Sequence, residues 1–241
     1  MTASRRILTS VYLSLALGLA AATGARADSV YVGGTYSGTF SMMVDGAPMS
    51  EGGGNIGGSS VVVGGQTFNL LALYCVDQFT GASLNTNYTT TINQSGVINS
   101  QVLPAAGSIA WLMINIAPSL TTQAQYQALQ GLIWELESPA NGHTVAFNTT
   151  AGVNSAAAIA NYTAYKTSLG TNTASPSALY WINPLNTQGQ YAYQGFVGIT
   201  QSQRDQATSV PEPASLALFG VAIAALAALR RRAPRLGPEV R

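Results

Sequence analysis

Charge is what this sequence has least of. Only 8% of its 241 residues are Asp, Glu, Lys or Arg. Most of the cations sit at the extremities, with Arg5, Arg6 and Arg26 toward one end and Arg230, Arg231, Arg232, Arg235 and Arg241 toward the other. Between Asp28 and Ala207 the cations are Lys166 and Arg204, against the acids Asp28, Asp45, Glu51, Asp77, Glu135, Glu137 and Asp205. A mildly acidic domain of this kind offers no basic face to a phosphate backbone or to anionic lipid, so no nucleic-acid partner is expected. Its solubility rests on Asn, Gln, Ser and Thr.

Sulfur and imidazole are equally scarce: Cys75 is the one cysteine and His143 the one histidine. A single cysteine forms no internal disulfide, and one Cys with one His cannot build a usual zinc site. A cysteine hydrolase needs a base and an orienting partner in a recognisable setting, which is missing here. The glycine runs lack the Lys and the helix context of a phosphate-binding loop. The chain therefore reads as neither an enzyme nor a holder of a metal or cofactor.

What is present begins with two terminal addresses. Arg5-Arg6 precedes an apolar stretch from Ile7 to about Ala22, and Ala25-Arg26-Ala27 places small residues where a signal peptidase reads them. Residues 1–27 are expected to be a secretory signal, cleaved before Asp28. At the other end, Val210-Pro211-Glu212-Pro213-Ala214-Ser215 leads into an apolar run from Leu216 to Leu229, closed by Arg230-Arg231-Arg232. The run is short for a permanent span, and the arginines would hold its end at the cytoplasmic face. Residues 208–241 resemble the PEP-CTERM protein-sorting signal of Gram-negative bacteria. The resemblance implies transient membrane association through this helix, processing by an exosortase-type protease, and delivery to the cell surface or an extracellular matrix.

The stretch 28–207 is long enough for one domain. From Tyr31 to Gly65, glycine and β-formers suggest short strands joined by turns. Thr67 to Val76 is apolar on both faces, which suggests a central strand. Beyond Pro104, Ile109, Leu112, Met113 and Ile116 recur at helical spacing, and Pro118 ends that helix. A second helix is expected from Thr121-Thr122 to about Glu137, with Glu135 and Glu137 on its solvated edge, and a third from Ala156 to about Leu169. Strand character returns over Ser177–Ile182 and Gln190–Thr200, with a turn at Asn183-Pro184. The expected fold is α+β, a sheet-rich sandwich-like or barrel-like domain with inserted helices. The Asn-X-Thr/Ser triplets at Asn87, Asn93, Asn148 and Asn161 are read as chance in an Asn/Thr-rich chain.

Two residues stand out within that frame. A lone thiol in an exported protein is buried and inert, paired between chains, or used in other chemistry. Cys75 ends the apolar strand in Leu73-Tyr74-Cys75-Val76-Asp77 and, taken alone, is most cheaply read as a small core residue. On the second helix, the stripe set by Tyr126 contains Leu129, Gln130, Ile133 and Trp134, so Gln130 faces the core. A buried carboxamide left unpaired costs about 1–3 kcal/mol. It is satisfied either by a hydrogen bond to backbone or by a bond to sulfur: attack of Cys75 on the Gln130 carbonyl with loss of ammonia gives an internal thioester.

Tyr74-Cys75-Val76-Asp77 together with Leu129-Gln130-Gly131-Leu132-Ile133-Trp134 resembles the paired signature of the bacterial surface thioester domain. The resemblance implies that Cys75 and Gln130 form an intramolecular thioester, shielded by Tyr74 and Trp134. It also implies covalent attachment to a nucleophile on a target surface. With a single small domain and a Gram-negative sorting tail, the expected acceptor is an amine or hydroxyl of a matrix polysaccharide or a neighbouring surface protein. Asp77 is placed to tune the site or to form a turn, and His143 to act as a base or to lie on a surface loop. The alternative is a non-covalent structural or carbohydrate-binding matrix protein with Cys75 and Gln130 as ordinary core residues.

Overall fold

A computed structural model describes residues 27–209. The expected signal peptide and the sorting segment lie outside these residues except for their innermost positions. Among the described residues no helix is long and apolar enough to cross a membrane.

The main sheet has seven strands: β1 (Ser29–Val32), β4 (Ser60–Val63), β5 (Gln66–Asn69), β6 (Ala72–Cys75), β7 (Thr86–Asn93), β11 (Tyr180–Pro184) and β12 (Phe196–Ile199). They are hydrogen-bonded in the order β5-β4-β1-β7-β11-β12-β6, every pair antiparallel. Strands β5 and β6 occupy opposite edges, yet only Leu70 and Leu71 separate them in sequence. Three peptide steps reach at most about 11 Å, so the sheet must curl until its edges nearly meet. The result is a half-barrel, closed at this point by Leu70 N–H donating to the Ser59 carbonyl and Leu71 N–H donating to that of Ile199.

Two smaller sheets complete the β structure among the described residues. The hairpin of β2 (Thr39–Val44) and β3 (Ala47–Gly52) turns on Asp45-Gly46, whose φ angles of 50° and 82° are those of a two-residue turn matched to strand twist. Strand β10 (Val145–Phe147) lies along the other side of β2, and β8 (Val97–Ile98) pairs with β9 (Gln101–Val102).

Among the described residues four α-helices are interspersed: α1 (Ala106–Asn115), α2 (Gln123–Glu137), α3 (Ala156–Leu169) and α4 (Gln201–Thr208). Helix α2 starts on a capping box in which Thr122 and Gln125 satisfy each other's backbone donors. It packs against α3, β10 and β6, and is buried continuously from Gln127 to Trp134, wider than one amphipathic stripe. An aromatic row ties these elements together: Trp134 stacks on Phe40 at 5.4 Å, Phe40 on Phe147 at 5.8 Å, and Phe147 on Tyr162 at 4.9 Å. Burying each such side chain contributes about 1.5–3 kcal/mol.

The α+β, sheet-rich architecture and the first three helices agree with the sequence reading, and five local expectations are corrected. The apolar run from Thr67 to Val76 is two strands rather than one, and its Cys75 end lies on a sheet edge, not at the centre. It reads as central because helix α2 and the 53–59 loop cover that edge. Asn183 and Pro184 belong to β11 instead of a turn, and the last strand is confined to Phe196–Ile199. Glu137 is not solvated: it is 2% exposed at the end of α2.

Candidate functional site

An edge strand leaves every second residue with its N–H and C=O pointing away from the sheet. On β6 these residues are Leu73 and Cys75. Leu73 is satisfied by the loop, its N–H donating to Asn55 Oδ1 at 3.1 Å and its carbonyl accepting from Ile56 N–H at 2.9 Å. Cys75 is satisfied by a side chain. Gln130 Oε1 accepts from Cys75 N–H at 3.1 Å, and Gln130 Nε2 donates to the Cys75 carbonyl at 2.7 Å. The carboxamide takes the place of the next strand's peptide, and this pairing fixes which end is oxygen and which is nitrogen.

A third bond completes the arrangement. Gly54 N–H also donates to Gln130 Oε1, at 3.3 Å. Gly54 has φ of +113°, where a Cβ would stand 2.4 Å from Ser37 Oγ. Its neighbour Gly53 lies flat on the helix, and a Cβ there would come within 2.7 Å of Gln130 Cγ and 3.0 Å of Trp134 Cη2. These two glycines let the loop backbone close over Gln130, which is 0% exposed. Gly131 plays the same part on the far side of the helix, where the Phe147 ring presses so close that a Cβ would be 2.3 Å from it.

Two backbone N–H groups thus converge on one side-chain carbonyl oxygen, the geometry that stabilises negative charge developing on that oxygen during attack at its carbon. The sulfur belongs to one of the two donor residues: Cys75 Sγ is two bonds from the Cα whose N–H holds the carboxamide. Cys75 is 4% exposed and lines a cavity of about 280 Å³ with Val32, Tyr36, Gly53, Gln194 and Phe196 among its walls. Burial first, and the Asp77 charge second, push the Cys75 thiol far above the ordinary thiol range. The sulfur is therefore held as the neutral thiol.

Of the other expected residues, the structure brings Trp134 close to Gln130 and places Tyr74 and His143 facing elsewhere. Trp134 is 1% exposed and covers the Gln130 side through Gly53. Tyr74 is fully buried, but it precedes Cys75 on the strand and so faces the other way. Burial, and then the nearby Tyr126 and Tyr165, raise its phenol well above the usual range. Asp77 is a turn former and only 7% exposed: its carboxylate accepts from Phe79 N–H, the Thr80 hydroxyl and Asn99 Nδ2. His143 is held elsewhere, its Nδ1 2.8 Å from Asp45 Oδ2 and its ring 4.4 Å from that of Phe79. The Thr144 N–H and then His143 hold the Asp45 carboxyl below its usual value.

Sequence reasoning missed the glycine loop and two further carboxamides. Gln127 donates to the carbonyls of Ser37 and Thr39 at 3.1 and 3.0 Å, and Gln194 donates to that of Asp77 at 2.7 Å. Helix α2 thus carries two buried amides, one turn apart, each stitching a strand's loose backbone. The spacing of Gln127 and Gln130 was the available signal. Nothing in Gly52-Gly53-Gly54 marked which amide would point inward.

Comparison with known proteins bears on the tail alone. Residues 209–232 match the PEP-CTERM protein-sorting motif. No curated protein and no solved structure matched the chain. The motif makes this an exported, cell-surface-associated protein and implies processing by an exosortase.

Proposed function

We propose that this exported protein stores an acyl electrophile as a thioester between Cys75 and Gln130 and spends it once, on a nucleophile of the surrounding surface or matrix. The observation that carries the reading is the pair of N–H donors, from Cys75 and Gly54, aimed at the Gln130 carbonyl oxygen beside the only thiol. In the closing step Sγ bonds to the Gln130 carbonyl carbon and the charge gathers on Oε1 between the two donors. The thiol proton passes to Nε2, the C–N bond breaks, and ammonia leaves. In the second step an amine or hydroxyl attacks the same carbon. The C–S bond breaks, the proton goes to sulfur, and the target is left bonded to the Gln130 acyl group.

The surroundings suit storage. Trp134 and the glycine loop cover Gln130 on one side, which limits the approach of water, while the cavity at Cys75 is the way in for a nucleophile. Lys166, the one lysine between Asp28 and Ala207, is engaged elsewhere, 2.6 Å from Glu135 Oε1. The protein is consumed by its reaction and is not an enzyme. A base need not be His143, which is paired with Asp45.

A second reading is favoured by the same hydrogen bonds: with all three made, the carboxamide is a satisfied edge cap in a non-covalent matrix protein. Intact mass separates the two. The thioester form is lighter than its sequence by one ammonia, and methylamine adds to it one for one. A purified protein at full sequence mass, inert to methylamine and with a titratable thiol, overturns the covalent reading.

A further inference from the structure

Next to the Cys75 cavity lies a second, open depression of about 530 Å³, and Tyr36 forms part of the wall of both. We infer that this groove binds a strand of uncharged pyranose polysaccharide and presents it toward Cys75.

The chemistry of the lining selects the ligand. Tyr36 and Tyr126 supply two rings, and Thr35, Ser37, Asn55 and Gln123 supply hydroxyl and amide groups, with no charged residue on the wall. An anionic polymer finds no cation here, an ammonium finds no carboxylate, and a lipid finds too many polar groups. A pyranose ring has an apolar C–H face and a rim of hydroxyls that both donate and accept, which is what rings flanked by amides and hydroxyls complement.

The polar groups are uncommitted. The Thr35 and Ser37 hydroxyls and the Gln123 carboxamide make no hydrogen bond to another described residue, and Asn55 uses only Oδ1, leaving its Nδ2 donor free. The rings, by contrast, are held. The Tyr126 hydroxyl donates to the Leu120 carbonyl at 2.8 Å, and the Tyr36 ring lies against Gly52, where a Cβ would be 3.3 Å away. Fixed rings and free polar groups are the features of a preformed ligand site, and the volume falls in the range that holds small organic ligands. Tyr36, 47% exposed, is the shared element through which a docked strand reaches the cavity. Only this last step, presentation to sulfur, rests on the thioester reading; binding in the groove does not.

The test uses the mature exported protein carrying Cys75→Ser, which cannot form a thioester, so that its result and the mass measurement above fail separately. Titration calorimetry with cellohexaose, maltohexaose and chitohexaose, and with oligogalacturonate as an anionic control, reads the groove directly. The expected result is binding of at least one neutral hexasaccharide, insensitive to salt and weakened at least about tenfold by Tyr36→Ala. Because Tyr36 is on the surface, that variant should keep the parent's unfolding curve, and Gln123→Ala gives a second, independent loss. Failure of all three neutral sugars, salt-sensitive preference for oligogalacturonate, or unchanged binding in both variants overturns the inference.

Discussion

The side-chain amide of Gln130 stands on the main chain of Cys75 as a strand neighbour would, donating to its carbonyl at 2.7 Å and accepting from its N–H at 3.1 Å. Stability and chemistry at this site can therefore be pulled apart. Gln130→Ala strands the Cys75 and Gly54 N–H groups and the Cys75 carbonyl in a dry interior, at about 1–3 kcal/mol for each group left unpaired. Cys75→Ala removes one sulfur that already borders a cavity and should cost about 1 kcal/mol. Urea unfolding should show that contrast, while intact mass after methylamine shows no adduct in either variant. Equal stability losses would mean that the amide contributes no edge capping.

The glycine loop sets the position of the Gln130 carbonyl, so lengthening a side chain there should act on closure before it acts on folding. Gly53→Ala drives a methyl into Gln130 Cγ and the Trp134 ring, and Gly54→Ala adds an unfavourable positive φ to a contact with Ser37. Overpacking and backbone strain of this kind cost about 1–3 kcal/mol each. The expected outcome is a folded protein in which ammonia loss, followed by mass against time after refolding, slows by at least about tenfold for Gly53→Ala. Closure at the parental rate would show that the Gly54 N–H does not stabilise the oxyanion.

How much of this was readable in advance depends on the kind of signal. The helix from Thr122 to Glu137 was legible because its cap and its periodicity are local, and the inward face of Gln130 followed from spacing to Tyr126 and Trp134. The edge position of Cys75 was not. A strand covered by a helix and a loop is as apolar on both faces as a central one, and strand order depends on which distant segments pair. Strand β7, near the middle of the sheet, alternates Thr and Asn with Tyr88 and Ile92 and gives little hydrophobic contrast. The groove at Tyr36 draws on β1–β2, the glycine loop and α2, so no single stretch of chain announces it.

Lys166 offers a check on electrostatics away from the site. Its ammonium donates to Glu135 Oε1 at 2.6 Å and to the Tyr162 hydroxyl at 3.2 Å, and these bonds, that to Glu135 first, raise its pKa and keep it protonated. Its side chain is 54% exposed, so solvent screens the pair and Lys166→Met should change stability by no more than about 1 kcal/mol. A protonated amine is also a poor nucleophile. Peptide mapping of aged protein should show no amide between Lys166 and Gln130.

The raised Cys75 thiol makes the state of the bond visible in a pH series. Burial and then Asp77 keep the proton on sulfur in the folded protein, whereas in the unfolded chain the thiol titrates near its ordinary 9.0. Above that pH the unfolded state binds fewer protons than the native state, so the stability associated with the neutral thiol is intact below about pH 9 and declines as pH rises further, by up to about 1.4 kcal/mol per unit. Tyr74, raised from 10.0, adds a similar loss at higher pH, but it is common to every form and cancels in a difference. The methylamine-opened protein should therefore lose about 1 kcal/mol more between about pH 9 and 10 than Cys75→Ala does in urea titrations. The closed thioester has no thiol proton to release in the folded state, and if the acyl–sulfur bond survives unfolding it should follow Cys75→Ala. An opened protein with no excess slope would mean that its thiol is as solvated folded as unfolded, which is incompatible with the burial of Cys75.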